Sequence, residues 1–242
     1  MKKPPETWFW SHDIKPTQID AVIVSGTRLM RLSSYGQGTA RRFAALLHMD
    51  GGPERSYALD LDAAALAGRL RDTGARAVSI TATVGNDGTP RFSVLLESAP
   101  GAVSSVHVDL DDAGVRGLVD DGHCIADLAT YVVGGARRFA AIVEERTGPS
   151  WVFTGATPAE LDAQLLALDA ALVRLRAYFD GPVLRLAAVA ERVRVGTWAW
   201  YADLDADGVA RNLEGNAAYP VDLDATRDLE GVRYAVVMYR QR

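Results

Sequence analysis

Cysteine is all but missing from this chain: Cys124 is the only one in 242 residues. That excludes an internal disulfide framework and fits a reducing compartment. Lysine is nearly as scarce, since only Lys2, Lys3 and Lys15 stand among 26 basic residues and the rest are arginine. Positive charge is not in excess either. A net charge of -5 and an isoelectric point near 5.4 give no electrostatic footprint for nucleic acid or an anionic membrane. No apolar run reaches the length of a bilayer span. The opening Met1 to Trp8 carries basic residues but no apolar stretch of the kind a secretory leader needs. The expectation is a cytoplasmic protein with no membrane and no nucleic-acid partner.

What the chain does have is one phrase said five times. Arg42-Phe43-Ala44-Ala45-Leu46, Arg91-Phe92-Ser93-Val94-Leu95, Arg138-Phe139-Ala140-Ala141-Ile142, Arg185-Leu186-Ala187-Ala188-Val189 and Arg233-Tyr234-Ala235-Val236-Val237 are versions of one segment. Their arginines lie 49, 47, 47 and 48 residues apart. A fixed period of this size marks supersecondary units that bury their apolar faces against neighbours. The copy from Ala170 to Asn216 shows the unit. Leu172 to Tyr178 alternates apolar and polar residues, Phe179-Asp180-Gly181-Pro182 turns, and Val183 to Ala190 returns as a hairpin partner. Val195 to Ala202 reads as a third strand, and Asp205 caps a short helix with Val209 and Leu213 on one face, stopped by Gly215-Asn216. Asp62, Asp111 and Thr157 stand at the same cap position, and Gly74 and Gly122 end two of the helices. The unit is strand-strand-strand-helix.

The C-terminal copy supplies two strands only, Tyr219 to Thr226 and Val232 to Tyr239, while Thr7 to Asp13 mirrors Thr197 to Asp203 and Lys15-Pro16 starts a helix. Residues 1–242 therefore read as a single domain of five units: 27–74, 75–122, 123–169, 170–216, and 217–242 completed by 1–26. Joining the termini in one blade removes the unpaired edges an open array would leave. The expected fold is α+β, a closed five-fold β/α-propeller.

The Arg-Phe-Ala-Ala strand, Gly148 to Trp151, the helix start Thr157 to Leu161 and the strand Arg174 to Tyr178 together resemble the bacterial tandem repeat domain that accompanies β-lactamase-like and polyglycine hydrolases. The likeness runs from about Leu29 to the C-terminus. That family carries its chemistry in a separate domain with a Ser-x-x-Lys nucleophile, and no serine here is followed three positions later by lysine. The architecture is also similar to the pentein β/α-propeller, although the pentein enzymes place their cysteine near the C-terminus and Cys124 lies mid-chain. Fold likeness of this kind assigns no function.

Aligned copies give candidate sites. Six residues beyond the repeat arginines stand His48, Glu97, Glu144, Glu191 and Tyr239, on the same strand face because the offset is even. Two residues beyond are Ala44, Ser93, Ala140, Ala187 and Ala235, small enough for strands that converge on an axis or approach another layer. With the second strand innermost, one channel mouth would carry Arg42, Arg91, Arg138, Arg185 and Arg233, and the other the carboxylates, histidine and tyrosine. Such a mouth could do acid–base work. Alternatively, each arginine pairs with a neighbouring copy's glutamate as a clamp. Trp8 and Trp10, and Trp198 and Trp200, share a face at spacing two and could bind a sugar, peptide or planar ligand, or simply cover the helices. Ser11-His12-Asp13 cannot relay protons, because consecutive strand residues point to opposite faces. Asp203, Asp205 and Asp207 lack the spacing of a calcium loop.

The functional expectation is a binding module for a peptide, glycan or small ligand, with no cofactor and no metal. The alternative is an enzyme, a hydrolase or a tailoring enzyme of secondary metabolism, working at the His48, Glu97, Glu144, Glu191 and Tyr239 mouth. Oligomeric state is not legible.

Overall fold

A computed structural model describes residues 4–98, 104–120, 123–145, 148–192, 196–228 and 230–240. Gly122, the expected helix stop, and Val195, the expected start of a strand, lie outside them. Among the described residues the fold is α+β, with five three-stranded antiparallel sheets and five helices. Each sheet takes an outer strand, a helix, an inner strand and a middle strand in chain order. The first comprises β1 (Thr7–Ile14), the single turn α1 (Ile19–Val22), β2 (Arg28–Tyr35) and β3 (Arg42–Met49). The second comprises β4 (Arg55–Leu61), α2 (Ala63–Thr73), β5 (Arg76–Val84) and β6 (Pro90–Glu97). The third comprises β7 (Ser104–Leu110), α3 (Asp112–Asp120), β8 (Cys124–Val133) and β9 (Ala136–Glu144). The fourth comprises β10 (Ser150–Ala156), α4 (Pro158–Leu168), β11 (Ala171–Asp180) and β12 (Val183–Glu191). The fifth comprises β13 (Trp198–Leu204), α5 (Ala206–Gly215), β14 (Ala218–Arg227) and β15 (Val232–Arg240).

The period holds, but its phase differs from the one expected. In spatial order the sheets run β1-β3-β2, β4-β6-β5, β7-β9-β8, β10-β12-β11 and β13-β15-β14. The third strand of the unit read from sequence therefore joins the following hairpin, not its own. The N-terminal strand completes the first sheet by pairing with β3, and the fifth sheet is whole within residues 198–240. Among the described residues no sheet is split between the two ends of the chain.

Local chemistry explains the elements. Asp62, Asp111 and Asp205 each accept a hydrogen bond from the backbone N–H three residues on, and Thr157 forms a full capping box with Glu160. Gly74 leaves α2 at φ +59°, where a Cβ would be strained. Leu161 with Leu165 on α4, and Val209 with Leu213 on α5, are four apart and buried against the sheets. Each outer strand carries a bulge whose left-handed residue is Asp13, Asp60, Asp109, Gly155 or Asp203. Asp tolerates that conformation better than most residues, and glycine replaces it once.

The repeat arginines serve these bulges. Arg42, Arg138 and Arg233 reach Asp13, Asp109 and Asp203 at 3.3, 3.2 and 3.5 Å, and Arg185 donates to the Gly155 carbonyl at 3.2 Å. In the second sheet Arg41 takes Asp60, and Arg91 turns to Asp87. The middle strands β3, β6, β9, β12 and β15 are flanked on both edges, so the arginine phrase does not line an axis as expected. Its small residues instead let a neighbouring sheet approach: Ala44 packs with Ala225 and Tyr234, and Ala140 with Ala82 and Phe92.

The inner strands pack on one another in the order β2, β5, β8, β11, β14, and β14 packs on β2. Among the described residues no helix is long and apolar enough to cross a membrane.

Candidate functional site

An inner strand has one backbone edge that no strand in its own sheet satisfies, and a buried unsatisfied N–H is costly. Side chains from the neighbouring inner strand meet that need. Ser34 N–H (β2) donates to Thr81 Oγ1 (β5) at 3.0 Å, and Ile80 N–H (β5) to Asp127 Oδ2 (β8) at 2.8 Å. Arg176 Nε (β11) donates to the Leu128 carbonyl (β8) at 2.6 Å, and Leu175 N–H (β11) donates to Asp222 Oδ2 (β14) at 2.8 Å. Ala225 N–H (β14) donates to Ser33 Oγ (β2) at 2.9 Å. These links are what the polar residues of the inner strands are for.

They assemble a buried ionic cluster. Arg31, Arg176, Asp127, Asp222 and Asp224 are all more than nine-tenths buried. Asp127 pairs with both Arg31 and Arg176, and Arg176 also reaches Asp222 at 2.5 Å. Burial would raise the Asp127 carboxyl, but Arg176 and Arg31 outweigh it and hold the group below the usual range. Burial also opposes the charge on Arg176, yet Asp127 and Asp222 bind its proton more firmly than water does. Asp224 behaves differently: burial pushes its carboxyl up, and Arg176 and Arg31 offset this only in part. Arg31 is pushed down by burial and by the Arg176 charge, and its Nε and Nη2 make no hydrogen bond. That edge faces Asp222 at 4.0 Å and Asp224 at 3.8 Å.

Above the cluster opens a pocket of about 550 Å³, to which all five inner strands contribute. Arg31, Arg176 and Asp224 form its floor, and Tyr35, Tyr131 and Tyr178 stand in its wall with the hydroxyls of Ser34, Thr81, Thr83, Thr130 and Thr226. The tyrosines are held from behind: Tyr35 and Tyr131 hydroxyls accept the Asp13 and Asp109 N–H groups at 2.9 and 2.8 Å. Arg137 lies over the Tyr178 ring, 4.1 Å from its centroid, and with Arg227 edges the mouth. A space this size suits a small ligand. Among the described residues no group of His, Cys, Asp and Glu could hold a metal ion.

The residues singled out from sequence lie elsewhere. His48 is buried, its Nε2 2.8 Å from the Pro220 carbonyl on β14, and burial lowers its pKa. Tyr239 donates to the Leu172 carbonyl on β11 at 2.9 Å, and burial raises its pKa. Glu97 is 1% exposed and accepts from Arg55 at 2.9 Å, from Arg28 at 3.3 Å and from Arg76. Burial would raise its carboxyl, but the Arg76 and Arg55 hydrogen bonds hold it below the ordinary value. Glu144 reaches the same Arg76 at 3.5 Å, and Glu191 lies close enough to Tyr239 to oppose its ionisation. None of the five lines the pocket. His48, Glu97, Glu144 and Tyr239 instead tie a middle strand to the inner strand of the adjacent sheet, which is the clamp alternative with different arginines. Nor do Arg42, Arg91, Arg138, Arg185 and Arg233 share a channel mouth, being engaged at the bulges and turns.

The tryptophans cover helices. Trp198 and Trp200 pack on Leu161 and Leu165 of α4, with Trp200 Nε1 donating to Asp162 at 3.0 Å. Trp8 and Trp10 pack on Val209 and Leu213 of α5, beside an open trough. All four are half-buried, and Trp8 also packs on the cluster that holds Trp198 and Trp200. Cys124 is buried.

The cluster escaped the sequence reading, though a signal existed. Arg31, Ser79, Asp127, Arg174 and Asp222 recur at the repeat spacing, as do Ser33, Thr81, Ala129, Arg176 and Asp224. The first column mixes arginine and aspartate across its copies and the second ends on Arg176 and Asp224, an alternation of charge that a merely solvated position has no reason to coordinate. Compared with known proteins, the chain matches no family model and no curated protein.

Proposed function

We propose that the five sheets are blades of a closed β/α-propeller and that the protein is a small-molecule binding module with its site in the axial pocket. Closure is supported by the packing of β14 on β2 and by the Ala225 to Ser33 hydrogen bond. The binding reading rests on one observation: a pocket of about 550 Å³ to which every inner strand contributes, floored by buried charges. The proposal includes kinship with the bacterial tandem repeat domain and a pentein-like layout. The enzyme alternative draws nothing from His48, Glu97, Glu144, Glu191 or Tyr239: none of them lines the pocket, and the partners of His48, Glu97, Glu144 and Tyr239 are structural.

The test is a thermal-shift screen of the whole chain against sugars, amino acids, short peptides and small amines, followed by calorimetry on hits. Thr130→Trp and Thr226→Trp, at half-buried wall positions, should abolish binding while leaving the melting temperature within about 4 °C. A hit that both variants still bind would place the ligand elsewhere and end the proposal.

A further inference from the structure

The buried cluster has one carboxylate too many. Two guanidiniums, Arg31 and Arg176, face three carboxylates, Asp127, Asp222 and Asp224, all at least nine-tenths buried. Arg174, which adds a contact to Asp127 at 3.5 Å, is 26% exposed and shares its charge with solvent. The direct ion pairs are used up by Asp127 and Asp222. Asp224 is left with two neutral donors, Ser33 Oγ at 2.7 Å and the Ala177 N–H at 3.3 Å. Its nearest cationic atom, Arg31 Nη2, stands 3.8 Å away and makes no hydrogen bond. A buried carboxylate in that position is stabilised by a cation that donates to it directly.

Resting on the axial-pocket reading above, we propose that the ligand carries a protonated amine and that Asp224, on the pocket floor, receives it. Among the described residues Asp224 is the sole carboxylate that lines the pocket. The walls also carry the aromatic side chains of Tyr35 and Tyr131. The arginines at the mouth do not cancel this preference. Arg137 is already stacked on Tyr178 and opposed by Asp180 and Asp112, and Arg227 is exposed, where water screens it. An anionic ligand would meet Asp224 with Asp222 behind it, on a floor shared with Arg31 and Arg176, which are paired to Asp127, and a neutral one would leave the charge on Asp224 as it is.

The experiment compares three ligands of one shape, benzylamine, benzyl alcohol and benzoate, by calorimetry on the full chain at pH 7. The amine should bind at least about tenfold more tightly than the other two, the margin of one charge-assisted hydrogen bond. Asp224→Asn keeps an oxygen for Ser33 and should erase that margin. Benzoate or benzyl alcohol binding as well as the amine, in a manner lost in Thr226→Trp, would overturn the amine assignment and leave the pocket reading standing. Amine binding that survives in Asp224→Asn would overturn it too, as would no amine binding at about 10 mM. The three-ligand comparison on the native chain needs no variant, so it holds even if Asp224→Asn fails to fold.

Discussion

Replacing Asp127 by asparagine tests the buried cluster most directly. The side chains are nearly the same size, so the change reads charge and not volume. Asp127 is fully buried and accepts from Arg31, Arg176 and the Ile80 N–H. Two hydrogen bonds to charged groups are weakened, each worth about 1.5–3 kcal/mol. Two guanidiniums also lose their shared anion; breaking a buried pair from one side costs about 3–5 kcal/mol. The two figures describe the same loss from different directions, and they agree on about 4 kcal/mol. That is a large fraction of the roughly 5–15 kcal/mol by which a domain is stable. In urea the midpoint should fall by about 1–2 M, given a slope near 3 kcal/mol per M for a chain of this length. Raising the salt should leave the deficit unchanged, because buried charges are poorly screened. The matched control is Asp87→Asn in the exposed Arg91 pair, which should leave the urea midpoint almost unchanged. An Asp127→Asn protein within about 1 kcal/mol of the native chain would refute the claim that the cluster holds the inner strands together.

Three further outcomes follow from the same geometry. Asp109 sits at φ +57°, so Asp109→Ala should lower stability by about 1–2 kcal/mol while Asp109→Gly costs far less, read as paired thermal melts. Asp50 is held at about 2 chiefly by its hydrogen bond from Arg28, below its unfolded 3.8, so it adds stability above about pH 4 that is lost as pH falls through 2. Water screens part of this pair, so Asp50→Asn should trail the native chain by about 1 kcal/mol at pH 7 and match it near pH 2, measured by urea titration. Thr157→Ala removes the capping box of α4 and should cost about 1 kcal/mol by chemical denaturation.

How far the sequence speaks depends on the range of each interaction. The helix caps at Asp62, Asp111, Thr157 and Asp205 were legible because cap and partner are three residues apart. The hairpins were legible for the same reason. The phase of the repeat was not, because a strand followed by a helix pairs equally well on paper with the hairpin before it or after it. The chain does carry the phase: read as strand-helix-strand-strand, each unit from β1 to β15 forms one three-stranded sheet. The site was hidden for a different reason. Arg176 alternates with apolar neighbours as a solvated strand residue would, yet it is 1% exposed. Alternation reports that a side chain needs polar company, not whether water or an aspartate 46 residues away supplies it.

The cross-stitching of the inner strands also bears on how the molecule comes apart. In a linear repeat array each unit can peel from an end, because its polar needs are met within itself. Here Ser34, Ile80, Arg176, Leu175 and Ala225 each complete their hydrogen bonding on another sheet. Shedding one sheet strands donors or acceptors on its neighbours, so partial disassembly is penalised at every joint. Loss of structure should therefore be concerted across the whole chain, with slow amide exchange shared by all five inner strands and no fraying unit at either terminus.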